Sequence, residues 1–357
     1  MDIKSVIEIK KSDVTTFLKL CDGLSKTTFG EHARCCLIRS ISPSEVELFY
    51  YNNPNVVRVV CENNTSTMVQ GFIVKLNVLR ELSSVCDSAY MSFVSNNGKP
   101  YISLSGREIY IETEDLGMEC YTSVFPECTE TFDMTMYSSV RKASPLTLKS
   151  PTSYQNLIIK DGDAYFNTSL FIYKSKSPFS GSDNMLIPRP LVTTLNTMCD
   201  CGMKEVGYAL SDRCITLVCD NVTIVCQICV GDKVNEYVTD TVSYLVGFDA
   251  NLEVDDRLTN LLSAIGTLSY MDDIIEITSE SGMLKVSINN VSHTSHETYP
   301  FPVSGANIPC TVKIPSSMLL SLMRMNEGDV PFKLSVTEQG VGICGNDFKA
   351  LLRRVLY

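Results

Sequence analysis

Ile314-Pro315-Ser316-Ser317-Met318-Leu319-Leu320-Ser321-Leu322-Met323-Arg324-Met325 joins an apolar strand end to a short amphipathic helix. Met318, Leu319 and Leu322 recur at the spacing that stacks side chains on one helix face. The pattern stands twice more, at Ile187-Pro188-Arg189-Pro190-Leu191-Val192-Thr193-Thr194-Leu195-Asn196-Thr197-Met198-Cys199-Asp200 and at Val74-Lys75-Leu76-Asn77-Val78-Leu79-Arg80-Glu81-Leu82-Ser83-Ser84-Val85-Cys86-Asp87. Val78, Leu191 and Met318 fill one slot, Leu79, Val192 and Leu319 the next, and Leu82, Leu195 and Leu322 a third. The copies begin at residues 74, 187 and 314. That separation exceeds the roughly 20–50 residues of solenoid repeats and matches whole domains. One α+β unit used three times is therefore expected across the 357 residues.

Each third reads outward from its helix in the same order. In the first, Ser12 or Asp13 is placed to cap a helix whose apolar stripe is Val14, Phe17, Leu18 and Cys21. Strands are expected at 35–41, 45–51 and 56–60, a helix at 77–86, and strands at 90–94, 100–104 and 108–112. Asn96-Asn97-Gly98 supplies a hairpin turn, because Asn and Gly accept positive φ. In the last third, Leu258, Leu261, Leu262 and Ile265 form the equivalent stripe. Strands at 274–278 and 283–288 flank Ser279-Glu280-Ser281-Gly282, and the helix at 317–325 precedes strands at 331–336 and 350–356. The middle third is less regular: Met136, Val140 and Ala143 make a short stripe that Pro145 ends. Residues 174–183 read as a surface loop from their Lys, Ser, Pro and Gly content. The expected domains are 1–125, 126–247 and 248–357, with boundaries near 124–128 and 245–249.

Composition narrows the function classes. The chain is 44% hydrophobic and 20% charged, ordinary for a folded soluble protein. It has no apolar run of the roughly 18 residues a membrane span needs. Met1-Asp2-Ile3-Lys4-Ser5-Val6-Ile7-Glu8 lacks the apolar core of a signal peptide, so a reducing cytoplasm is expected. The 15 cysteines suit that compartment as small buried hydrophobes. Cys226 and Cys229 have CxxC spacing, with Cys199 and Cys201 nearby in sequence. They fall in a strand-like run where positions three apart face oppositely, which argues against a zinc site. The histidines His32, His293 and His296 sit in no metal motif, and no GxSxG, Walker or GxGxxG arrangement is present. No catalytic constellation, metal or cofactor is expected. The formal charge of −11 divides into −3, −3 and −5 over the three thirds. Any nucleic-acid contact must therefore come from a local basic face.

The threefold order resembles the DNA polymerase sliding clamp of the bacterial β type, over essentially the whole chain. Leu104-Ser105-Gly106-Arg107 followed by Tyr110 is similar to the Ser-Gly-Arg lead into the last strand of that family's first domain. Leu284-Lys285-Val286 with Asn289-Asn290 and Glu297 resembles its third-domain hairpin, and Arg353 before Val355-Leu356-Tyr357 its basic and apolar end. One stretch departs. Where typical members carry Thr-Asp-Gly-His-Arg-Leu, this chain has Phe166-Asn167-Thr168-Ser169-Leu170-Phe171. With the high cysteine content, that points to a divergent member of the kind a bacteriophage encodes.

The resemblance implies a ring of two chains, helices inside, that encircles duplex DNA and tethers a DNA polymerase. It also implies a clamp loader as partner. Helix faces would then meet phosphate through Lys10, Lys11, Lys19, Lys26, Arg80, Arg141, Lys142, Arg257 and Arg324; the alternative for these is a solvated face balanced by Asp13 and Asp22. Partner peptides would dock against Thr168, Leu170, Leu245, Val246, Arg353, Val355, Leu356 and Tyr357, which could equally be ordinary strand and linker packing. Tyr110 and Ile265 would meet across the dimer. Two other functions fit a repeat-built chain: a clamp that couples transcription or repair factors to DNA, or an adaptor that never touches DNA. A basic helix face favours the clamp and an all-acidic one the adaptor.

Overall fold

The computed structural model describes residues 4–25, 34–69, 71–96, 99–104, 107–111, 125–150, 155–179, 184–211, 213–231, 234, 252–253, 260, 274–280, 283–289, 299–302, 310–325 and 333–355. The first third contains β1 (Lys4–Lys10), α1 (Lys11–Ser25), β2 (Cys35–Ser42), β3 (Glu45–Asn52), β4 (Asn55–Glu62), β5 (Phe72–Lys75), α2 (Leu76–Val85), β6 (Tyr90–Asn96), β7 (Lys99–Leu104) and β8 (Arg107–Tyr110). The middle third contains β9 (Glu130–Asp133), α3 (Ser138–Ala143), β10 (Leu157–Lys160), β11 (Asp163–Asn167), β12 (Phe171–Lys176), β13 (Met185–Ile187), α4 (Arg189–Asp200), β14 (Glu205–Leu210), β15 (Cys214–Cys219), β16 (Val222–Gln227) and β17 (Cys229–Val230). The last contains β18 (Leu252–Glu253), β19 (Ile274–Glu280), β20 (Met283–Asn289), β21 (Tyr299–Pro302), β22 (Cys310–Pro315), α5 (Ser316–Arg324), β23 (Lys333–Thr337), β24 (Gly340–Cys344) and β25 (Phe348–Arg353).

Two compact units emerge, residues 1–134 with 190–229 and residues 135–189 with 230–357. The first holds a four-stranded sheet, β1-β6-β7-β8, and an eight-stranded sheet, β5-β2-β3-β4-β16-β15-β14-β9. The second holds a nine-stranded sheet, β17-β13-β10-β11-β12-β25-β24-β23-β18, and a four-stranded sheet, β21-β20-β19-β22. The orders repeat. Each third supplies one half-sheet of the type β5-β2-β3-β4, seen again in β13-β10-β11-β12 and β22-β19-β20-β21. Each also supplies one of the type β1-β6-β7-β8, seen again in β9-β14-β15-β16 and β18-β23-β24-β25. The long sheets arise where successive thirds join, through antiparallel pairs β4·β16 and β12·β25.

Two of the three helix slots found in the sequence are core in every copy, and the remaining one is core at Leu191 and Met318 but half-buried at Val78. Leu79, Val192 and Leu319 are buried, as are Leu82, Leu195 and Leu322, each removing apolar surface worth about 1.5–3 kcal/mol from water. Val14, Phe17, Leu18 and Cys21 are buried under α1 as expected. That helix begins at Lys11, directly after β1, so neither Ser12 nor Asp13 precedes it as a cap. Close approach shapes α1 further: a Cβ on Gly23 would lie 2.4 Å from Thr194 Oγ1 on α4.

Two local expectations change. Met136 is exposed while Val140 and Ala143 are buried, because the segment is a 3-10 turn (Met134–Tyr137), one short α-helix, then a second 3-10 turn that takes Pro145 at its start. Lys174-Ser175-Lys176 belong to β12 rather than to a loop, and Ser177 and Phe179 are buried. Ser177 Oγ accepts the Phe179 N–H at 3.0 Å and donates to its carbonyl at 3.2 Å. The stripe at 258–265, the turn residues Asn97 and Gly98, and the turn residues Ser281 and Gly282 lie outside the described residues.

Among the described residues every cysteine is free, and no three His, Cys, Asp or Glu side chains converge as a metal site would require. Burial pushes the Cys226 thiol up to about 12 and the Cys219 thiol up to about 11, which suppresses the reactive thiolate. No helix among the described residues is long and apolar enough to cross a membrane.

Candidate nucleic-acid and partner interfaces

Amphipathic burial leaves each long helix one exposed face. On α1 Ser12 and Lys19 are exposed and Lys11, Asp13, Thr15, Thr16 and Asp22 half-buried; on α2 Asn77, Arg80, Glu81, Ser84 and Val85 are exposed. On α4 Asp200 is exposed and Thr193, Asn196 and Thr197 half-buried; on α5 Arg324 is exposed and Ser317 and Ser321 half-buried. Hydroxyls and amides dominate, and the few charges alternate in sign. These faces are close to neutral in a chain whose net charge is −11.

Several of the expected cations already serve the fold. Lys10 pairs with Glu62 at 3.2 Å, and that hydrogen bond holds its ammonium above the ordinary value. The Lys11 ammonium donates to the carbonyl of Cys86, the residue that ends α2, where a cation complements the helix dipole. Arg80 donates to Asp22 across α1 and α2, an exposed pair of small worth. Lys19 and Arg324 are exposed and make no ion pair among the described residues. Arg141 and Lys142 stand in the last turn of α3, Arg141 exposed and Lys142 half-buried. Lys26 and Arg257 lie outside the described residues.

Three of the expected pocket residues, Thr168, Leu170 and Arg353, come together at one end of the β12·β25 ladder, and Val355 follows two residues beyond it. Thr168 is buried and closes the turn between β11 and β12. Its hydroxyl accepts the Leu170 and Phe171 N–H groups at 3.2 and 3.0 Å and donates to the Phe171 carbonyl at 3.0 Å. The Arg353 N–H donates to the Leu170 carbonyl at 2.9 Å, and its guanidinium donates to Asn167 Oδ1 at 2.9 Å. Val355 is held by a 2.9 Å bond from its N–H to the Lys313 carbonyl. Leu170 and Val355 are both half-buried, so part of each apolar side chain stays accessible beside Arg353. Leu245, Val246, Leu356 and Tyr357 lie outside the described residues.

At the other end of β12 is a groove of about 750 Å³ lined by Ser139, Asp163, Tyr165, Lys174, Lys176 and Lys349, among others. Lys174 and Lys176 reach Asp163 at 2.7 and 3.0 Å. Burial raises the Asp163 carboxyl, but the two lysine hydrogen bonds outweigh it and leave the group below its ordinary value. Reading 174–183 as a loop hid this cluster; the alternation of Lys174, Ser175 and Lys176 against Asp163 was the signal available for it.

Tyr110 is 67% exposed on β8, the edge of its four-stranded sheet, and its ring packs 5.6 Å from that of Tyr101. Ile109 beside it is 40% exposed. Ile265 lies outside the described residues.

No family model matches the chain, and no curated protein matches it in sequence. Solved structures do match along its whole length. A DnaN sliding clamp (DNA polymerase III subunit beta) from Bartonella birtlesii, bound to griselimycin, superposes with a TM-score of 0.78 at 14% identity, covering 99% of this chain and 100% of that one. The DNA polymerase III subunit beta from Pseudomonas aeruginosa gives 0.74 at 14% identity with the same coverage. The DNA polymerase sliding clamp from Bacillus subtilis gives 0.76 at 12% identity, covering 99% of each chain. With its repeated half-sheets, paired helices and full-length superposition, the chain has the fold of the bacterial DNA polymerase III β sliding clamp.

Proposed function

We propose that two copies of this chain close into a ring that encircles duplex DNA and tethers a DNA polymerase to it. The observation that carries this reading is the superposition on sliding clamps over 99% of the chain. The repeated half-sheet order supports it. Each third, taken as domains 1–125, 126–247 and 248–357, joins the next through a β4-type and a β8-type strand. Only β21 and β8 are left as the ends of such a series, and a second copy supplies each with its counterpart. A clamp loader, which must open the ring, is the further partner implied, and the cytoplasm is the compartment where these partners meet.

The helix faces suit a bearing rather than a grip. Each phosphate contact adds salt-dependent affinity and carries no base information, so a sliding ring works with few cations. The hydroxyl-rich, near-neutral faces, with Lys19 and Arg324 exposed, fit that demand. They are not the all-acidic faces that would favour an adaptor. Leu170 and Val355 beside Arg353 offer a shallow apolar anchor point for a partner peptide. Nothing in the reading asks for catalysis or a cofactor. The test is topological: the protein loaded on closed circular duplex DNA stays bound, and linearising the DNA releases it.

A further inference from the structure

The two joints inside the chain are full ladders. β4 and β16 pair over Val56–Val59 and Val222–Val225, β12 and β25 over Phe171–Ser175 and Phe348–Leu352. None of these four strands contains proline, so each residue on the bonding side can both donate and accept.

β21 is different. Its sequence is Tyr299-Pro300-Phe301-Pro302, and it pairs with β20 in the register Met283↔Pro302, Leu284↔Phe301, Lys285↔Pro300, Val286↔Tyr299. An antiparallel ladder needs N–H donors at alternate residues, and proline has none. The ladder to β20 must therefore run through Tyr299 and Phe301. Pro300 and Pro302 then turn their backbone outward, where prolines in edge strands belong. The open edge of β21 offers two carbonyl acceptors and no donor at those positions.

β8 presents the complement. The Ile111 N–H donates to the Pro100 carbonyl on β7 at 3.0 Å, so Arg107 and Ile109 share that inward side and Glu108 and Tyr110 bond outward. Resting on the ring reading above, we propose that the seam between two copies is a half-ladder. The Glu108 and Tyr110 N–H groups of one copy donate to the Pro302 and Pro300 carbonyls of the other, and no bond returns. Side chains such as the exposed Tyr110 and Ile109 supply the remaining contact. The seam is thereby the weakest of the three kinds of joint and the one at which the ring opens, while the prolines keep β21 from pairing with unrelated strands.

The experiment is the dissociation constant and the subunit-exchange rate of the full chain, measured with fluorescently labelled copies. Pro300→Val with Pro302→Val restores two donors at each of the ring's two seams and is expected to tighten the dimer roughly a hundredfold or more, with slower exchange. Glu108→Pro removes one of the two remaining donors from the opposite strand and is expected to loosen it several-fold. Because the variants lie on different strands, either one that folds, by its thermal melt, decides the matter. A stable dimer whose constants neither variant shifts overturns the half-ladder and leaves the ring standing. A wild-type chain that stays monomeric at micromolar concentration overturns the ring, and the seam with it.

Discussion

At the β4·β16 joint, both ends of the ladder are tied. The Val60 N–H donates to the Asn221 carbonyl at 2.9 Å, and the Asn221 side-chain amide donates to the Val60 carbonyl at 2.7 Å. At the other end, the Gln227 N–H donates to Asn55 Oδ1 at 3.1 Å. Behind it lies an apolar cluster of Cys35, Leu37, Phe49, Val56 and Ile73. Glu47 is buried there between Arg39 and Arg58, with Arg58 Nε 2.8 Å away. The β12·β25 joint has an equivalent cluster in Ile158, Tyr165, Ile172, Val234 and Leu351 and is tied at one end by the Arg353 N–H on the Leu170 carbonyl, but both of its ends keep accessible surface. One carries the half-buried Leu170 and Val355 beside Arg353; the other carries the groove around Asp163. Two joints of the same topology thus differ. The first is tied at both ends, while the second leaves accessible surface at each of its ends.

The largest expected effect tests the second joint. Leu170→Asp with Val355→Asp places charge where a peptide would bury an apolar anchor worth about 1.5–3 kcal/mol. Affinity for a polymerase-derived peptide should fall by about a hundredfold or more in calorimetry, with the melting temperature little changed. Intact affinity would move the docking site elsewhere.

At the first joint the effect should fall on stability. Glu47→Ala leaves Arg39 and Arg58 facing each other without their carboxylate. Breaking a fully buried pair costs about 3–5 kcal/mol, but these arginines are 28% and 26% exposed and can rehydrate. A loss of about 2–3 kcal/mol is expected in urea unfolding, with peptide affinity unchanged.

The smallest effect is a pH dependence at Asp163. Its folded value lies below the unfolded one, so its contribution is complete above the unfolded carboxylate value of about 3.9 and disappears as pH falls through the folded value. Asp163→Asn should therefore flatten the fall in urea midpoint between about pH 5 and pH 2. Lys176 is 86% exposed, so added salt should shrink the difference. Identical profiles would mean that the two lysines do not stabilise the carboxylate.

Much of this was legible because periodicity survives in one sequence. The slots at Leu79, Val192 and Leu319 repeat in type and spacing, and all three are core. Where the pattern is short or mixed, it failed. In β1 the fully buried Ile7 and Ile9 alternate with Glu8 and Lys10, an alternation too brief to distinguish from a helix start. β12 looked like a loop because a strand half made of Lys and Ser shows little apolar alternation. The pairing of the cations was out of reach: Lys10 and Glu62, or Lys11 and Cys86, meet only after strands between them have folded. The family resemblance singled out Thr168, Leu170, Arg353 and Val355, but the bond from the Arg353 N–H to the Leu170 carbonyl depends on register between distant thirds.

The central claim is encirclement, and it is tested most directly by loading the protein onto nicked circular duplex DNA and measuring retention before and after a single linearising cut. The account predicts retention through a high-salt wash on the circle, loss by sliding from free ends after the cut, and retention restored when the ends are blocked. Equal retention on circular and open linear DNA at matched salt would show direct binding instead and contradict the ring.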